Sequence, residues 1–231
     1  MLGLEQTPTA LPNDQIHFAH YRAMRRVVSD ADERAVLSRY RDPLDVVWLA
    51  TARRLGLHIR RNEAIYSATD GTGLLELGPQ HTLDADDCLA QMIFHEINHW
   101  ITNGEATFRQ RDWGFDLDAE LDWREHSCLR LQAALAGVHG LRGVLAPTSG
   151  FRGYYDRIPT DVLAPLDDSA REREVVALAA ESIARSAGRP WQPALDEALR
   201  ATAALRDALR PFLADFAPDI EGDALPSLWS R

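Results

Sequence analysis

Apolar residues recur every three to four positions over much of this 231-residue chain, which is the spacing of one helix face. The first such segment spans residues 16–27, and a second opens at Asp42-Pro43 and ends near Gly56. Proline suits the first turn of a helix and glycine suits its end, so these residues bound the second segment. The first part of the chain is therefore predicted to be helical.

Short apolar runs replace the helical spacing after Gly56. Residues 57–60 form one candidate strand. Residues 64–67 and 74–77 flank the turn sequence DGTG at 70–73, which is typical of a β-hairpin. We predict a small sheet at this point of the chain.

The most regular helical pattern follows, entered through residues 83–87. The aspartates of this entry suit the positive end of a helix dipole, and Asn103-Gly104 provide a stop. The apolar positions repeat with a period of 3.6 and are Leu89, Met92, Ile93, Ile97, Trp100 and Ile101.

The second half of the chain is predicted to be mainly helical. A looser segment covers 105–116, and a helix is expected from about 118 to 138. Residues 140–159 are rich in glycine and proline and are expected to form a connection. Two further helices are expected at 169–187 and 193–209.

Composition narrows the classes of function. A formal charge of −10 disfavours a nucleic-acid partner and fits a basic one. The chain contains no lysine, which excludes Schiff-base chemistry and the lysine of a phosphate-binding loop. Two cysteines do not make a disulfide scaffold, so we expect a cytoplasmic location, and no apolar run has the length of a membrane span.

The sequence FHEINHW at 94–100 puts two histidines on one helical face. His95 and His99 are four residues apart, so both imidazoles can reach one divalent ion, Fe(II) or Zn(II). Glu96 points ~100° away around the helix axis, which suits a base beside a metal-bound water rather than a ligand. The alternative is a core helix whose histidines are hydrogen-bonded to neighbours.

A third ligand is expected on the helix that follows. Glu125 interrupts an otherwise apolar stripe, a costly position for a carboxylate unless it is paired or bound to metal. We therefore choose Glu125, with His126 and Glu120 as alternative ligands, although Glu120 shares a polar face. A partly buried ion pair with an arginine is the other interpretation of Glu125.

Other reactive side chains receive structural interpretations first. Cys88 and Cys128 are expected to be small buried side chains. Tyr154 and Tyr155 lie in the late connection, where packing is the favoured role and donation to a reacting oxygen or outer support of the site is the alternative.

The segments FHEINHW at 94–100 and RDWGF at 111–115, with Glu125 and Gln132 on the next helix, resemble the elongation factor P hydroxylase family. The resemblance covers about residues 64–135. It implies a zincin-like core and iron held by His95, His99 and Glu125. It also implies oxygen-dependent hydroxylation of a modified lysine on a translation factor.

These observations together predict an α+β, mainly helical fold. Residues 1–150 would form the metalloenzyme core: a small sheet, a helix carrying the HExxH motif and a second ligand helix. Residues 151–231 would be a C-terminal helical extension packed on that core within a single domain overall. Two other functions stay open: a gluzincin-type zinc metallopeptidase with Glu96 as base and 74–77 as an edge strand for substrate, or a non-enzymatic helical protein with a structural metal or none.

Overall fold

A computed structural model describes residues 41–84, 87–116 and 122–213 of the chain. The helix predicted at 16–27 and the alternative ligand Glu120 lie outside these ranges. Within them the architecture is mainly helical with one three-stranded sheet, which confirms the α+β prediction.

Helix α1, Pro43–Arg54, begins and ends where the sequence indicates. The Asp42 carboxylate accepts a hydrogen bond of 2.8 Å from the backbone N–H of Leu44, which caps the helix start. Gly56, with φ of 83°, turns the chain out of the helix in a conformation that suits glycine.

The sheet contains β1 (His58–Arg61), β2 (Ser67–Thr69) and β3 (Leu74–Leu77) in the order β1-β3-β2. Strand β3 pairs in parallel with β1 and antiparallel with β2. Two predictions were wrong here. The first hairpin strand begins at Ser67 and not at residue 64, and β3 is the central strand and not an edge, because it pairs with β1 on one side and with β2 on the other.

Helix α2, Leu89–Asn103, carries the two histidines and ends at Gly104 as expected. It begins at Leu89, with the Cys88 sulfur accepting from the N–H of Gln91, so Asp84 and Asp87 come before the first turn in which they were expected. Asp87 instead accepts hydrogen bonds from Tyr66 and Gln91. Every residue from Leu89 to Thr102 is buried, so α2 is a central helix and not a surface helix with one apolar face.

Four helices follow, namely α3 (Arg124–Val138), α4 (Ser149–Tyr155), α5 (Ala170–Ser186) and α6 (Ala194–Leu213). Helix α4 lies in the segment that was predicted to be only a connection. The predicted start of α3 near 118 falls outside the described residues.

The later helices share their buried surfaces with the earlier elements. Trp191 and Leu195 join the cluster around α2, and Val175 joins Leu129 of α3 in a second cluster. The indole N–H of Trp48 on α1 donates to the Thr202 hydroxyl on α6 at 3.0 Å. All described residues fall within one compact unit. Within those ranges no helix combines the length and apolar character that crossing a bilayer requires.

Candidate metal centre

Four buried side chains from two packed helices converge on one point. His95 and His99 project from α2, and Glu125 and Cys128 project from α3, where residues three apart share a face. One ligand atom of each lies within 4.8 Å of all the others. Atoms bound to one ion at ~2.0–2.1 Å for nitrogen and ~2.3 Å for sulfur lie at most ~4.4 Å apart. A small inward movement therefore suffices to bring the group onto a single ion, and the cluster can hold a metal.

The carboxylate of Glu125 bridges the two histidines. Its Oε2 lies 2.7 Å from Nε2 of His99, and its Oε1 lies 3.4 Å from Nε2 of His95. Oε1 is buried and has no hydrogen-bond partner. An unpaired carboxylate oxygen in the protein interior is costly, because it has lost its water without replacement.

The hydrogen bonds behind His95 determine which ring nitrogen faces the cluster. Nδ1 of His95 lies 2.8 Å from Oε1 of Gln132, and the Gln132 amide N–H donates to the Leu145 carbonyl at 2.7 Å. Gln132 Oε1 is therefore the acceptor, His95 Nδ1 carries the hydrogen, and Nε2 directs a lone pair towards Glu125. Two acceptors face each other there, an arrangement that only a cation between them, a proton or a metal ion, makes favourable. The residues thus fit a metal ion.

Glu96 lies beside the cluster without belonging to the four. Its Oε2 lies 3.4 Å from Nδ1 of His99, and its Oε1 accepts a 2.7 Å hydrogen bond from the Ser67 hydroxyl of β2. Burial raises the pKa of Glu96, but the charges of His99 and His95 and the Ser67 hydrogen bond outweigh it and lower that pKa to about 2. Glu96 is consequently ionised at neutral pH.

His99 lies between two carboxylates. Burial lowers the pKa of His99, but the charges of Glu125 and Glu96 outweigh burial and raise that pKa well above its usual value. Without a metal, His99 therefore carries a positive charge that balances part of the buried negative charge. With a metal at Nε2, the remaining N–H at Nδ1 faces Glu96, the arrangement by which carboxylates orient metal-binding histidines.

Cys128 is the member of the cluster that the sequence analysis did not assign to the site. Its predicted burial is correct, but its sulfur lies beside His99 and not only among apolar side chains. Burial raises the pKa of its thiol to about 12, so it is protonated in the absence of a metal. The signal in the sequence was the spacing of three from Glu125.

Two aromatic rings cover the histidines. Phe151 of α4 stacks on His95 with 5.8 Å between ring centroids, and Phe115 packs against His99 at 4.3 Å. Phe115 follows Asp112 and Trp113, which both have left-handed backbone conformations with φ of 49° and 55°. Non-glycine residues adopt that region at a cost, and such positions are concentrated at functional sites. His95 and His99 are left only 6% and 9% exposed.

The alternative site residues lie in other environments. His126 stacks on Tyr154 with 3.7 Å between centroids, and the Tyr154 hydroxyl accepts from Arg130 at 2.7 Å. The Tyr155 hydroxyl donates to the Arg142 carbonyl at 3.0 Å. None of the three is among the four converging ligand residues; Tyr154 and Tyr155 are buried in a separate cluster, and His126 is partly buried against Tyr154.

Two surface cavities of ≈830 Å³ and ≈660 Å³ are lined by other residues than the four ligands. Comparison of the chain with protein-family models, with curated proteins and with solved structures finds no match.

Proposed function

We propose that this chain is an iron(II)-dependent oxygenase that hydroxylates a side chain of a protein or peptide. His95, His99 and Glu125 would hold the iron. Two histidines and one carboxylate leave open positions on an octahedral ion, which is the ligand set of non-haem iron(II) oxygenases. A zincin-like core, with the helix of the two histidines beside a small sheet, belongs to the same proposal.

The main support for the proposal is that residues which carry the family resemblance lie close together in the structure. Gln132 bonds to His95, and Phe115 packs against His99. Trp100 stacks on Trp113 with 5.5 Å between centroids and an interplanar angle of 14°. Gln132 and Phe115 thus contact one buried site from within a span of 38 positions, His95 to Gln132, and the Trp100–Trp113 stack joins two segments of the same span, which favours the hydroxylase over a chance HExxH pattern.

The overall reaction converts a C–H bond to C–OH. One atom of dioxygen enters the product and the other leaves as water, with two electrons from an external reductant and two protons from solvent. Iron(II) bound at the site supplies the oxygen activation. The side chains around the ion have three roles. Gln132 orients His95, and Glu96 orients His99 and also accepts a proton at its carboxylate. Phe115 and Phe151 exclude bulk water from the site.

A zinc metallopeptidase is the competing function, and the sheet disfavours it. Peptidases of this kind bind substrate backbone along an edge strand. The predicted edge strand, β3, is central. The edge strand β2 has three residues, and the N–H of Thr69 already donates to Asp112 at 2.8 Å. Little free backbone is therefore left for a substrate strand on this edge, the one that contacts Glu96 through Ser67.

The test loads purified protein with iron(II) anaerobically and adds dioxygen, ascorbate and elongation factor P carrying its modified lysine. The expected product is heavier by one oxygen atom, with matching oxygen consumption. Glu96→Gln should lose most of this activity with its iron retained, while Glu181→Gln, an exposed glutamate on α5, should keep it. Iron-loaded protein that consumes no oxygen with any such substrate, or zinc-loaded protein that cleaves peptides, would contradict the proposal.

A further inference from the structure

The position of Cys128 is not explained by apolar packing alone. Its side chain is fully buried, and its sulfur lies within 4.8 Å of the ligand atoms of His95, His99 and Glu125. The same cluster contains the unpartnered Oε1 of Glu125. A buried oxygen without a donor, beside a thiol and two imidazoles, is a group of side chains that a single cation can contact at once.

We propose that the sulfur of Cys128 is a fourth protein ligand of the ion held by His95, His99 and Glu125. The inference rests on the metal centre proposed above. On binding, the thiol proton leaves to solvent and a sulfur–metal bond forms, with no change in the oxidation state of either. A coordinated thiol is deprotonated because the charge of the ion outweighs the cost of burying the thiolate.

A fourth ligand changes what each metal can do here. Zinc prefers four ligands in a tetrahedron, so two histidines, one carboxylate and one thiolate leave it no position for a hydrolytic water. An octahedral ion with the same ligands keeps two positions. The Cys128 ligand therefore separates the two competing chemistries: it closes a zinc site and leaves an iron site open.

The experiment compares metal complexes of the wild type, Cys128→Ala, Cys128→Ser and Cys88→Ser. Cys88→Ser is the matched control, because serine keeps a side chain able to cap the start of α2. Each metal-free protein is titrated anaerobically with cobalt(II), and sulfur-to-cobalt charge-transfer absorption in the near ultraviolet is recorded. X-ray absorption of the zinc complexes counts sulfur neighbours at ~2.3 Å.

Wild type and Cys88→Ser should each show the charge-transfer absorption and one sulfur neighbour. Both Cys128 variants should lose these signals and bind zinc more weakly by at least the ~10–100-fold that changes around metal ligands cost. Circular dichroism of the metal-free variants distinguishes a lost ligand from a lost fold, and Cys128→Ser keeps the volume of the side chain.

A wild type that binds one ion without sulfur would overturn the Cys128 ligand and leave the three-ligand centre standing. A wild type that binds no ion would overturn both. A Cys128→Ser protein that folds and still binds with wild-type affinity would also contradict the inference.

Discussion

Gln132 gives the sharpest test of how the site is organised, because its buried side-chain amide hydrogen-bonds both to His95 and to the backbone carbonyl of Leu145. Gln132→Met keeps the approximate volume but removes the acceptor for His95 Nδ1 and the donor to Leu145. Losing an outer partner of a metal-binding histidine costs ~10–100-fold in metal affinity, or ~1.4–2.7 kcal/mol. Two buried polar groups are left unpaired at ~1–3 kcal/mol each, so the metal-free protein should lose ~2–6 kcal/mol of unfolding free energy.

Gln91→Met is the matched control. Gln91 is also fully buried and donates to Asp87 at 2.6 Å, one helical turn before His95, but it is not a partner of any ligand. Zinc affinity is measured by competition with a chromophoric chelator, and stability by denaturant unfolding of the metal-free proteins. Both variants should be destabilised, and only Gln132→Met should bind zinc more weakly. Equal affinities in the two variants would refute the assigned role of Gln132.

Three other predictions follow from the described contacts. Arg130→Met leaves the Glu172 carboxylate buried without its cation and should cost ~3–5 kcal/mol in denaturant unfolding; a loss below ~1 kcal/mol would contradict the buried pair. Gly71→Ala should destabilise the protein, because φ at this position is +74° and an added Cβ would lie 2.7 Å from a backbone carbonyl oxygen. Gly137→Ala, in open space on α3, should instead stabilise the protein by ~0.5–1 kcal/mol, and thermal melts that reverse this order would refute the prediction. Metal affinity should rise with pH, because the ion displaces the proton that His99 holds below its raised pKa and the proton of the Cys128 thiol. Calorimetry in buffers of different ionisation enthalpy should detect the released protons, and affinity that falls as pH rises would contradict this.

Local signals in the sequence were sufficient for α1 and for the placement of Glu125 beside the two histidines. Asp42, Pro43 and Gly56 bound α1 through capping and backbone preference, which act over a few residues. Glu125 was recognisable because a carboxylate on an apolar stripe needs a cation, and the structure buries it between two histidines.

Features that depend on the packing of distant segments could not be predicted from the sequence. Helix α4 was not predicted because the glycine and proline residues around it are typical of a loop. The contact of Phe151 with His95 was not predicted because the two residues are far apart in sequence. The central position of β3 depends on its parallel pairing with the earlier strand β1, which no local pattern specifies. Cys128 lies on the apolar stripe of its helix, as a core residue would, and only the packing of α2 against α3 brings its sulfur close to the histidines.

The most direct measurement is the metal stoichiometry of protein purified anaerobically, stripped of metal and titrated with iron(II) or zinc(II). The wild type should bind one ion per chain. Glu125→Ala should bind that ion much more weakly while keeping the helical circular dichroism spectrum, because Glu125 contacts both histidines across the two helices. A wild type that binds no ion, or a Glu125→Ala variant that binds one as tightly, would contradict a metal centre at His95, His99 and Glu125.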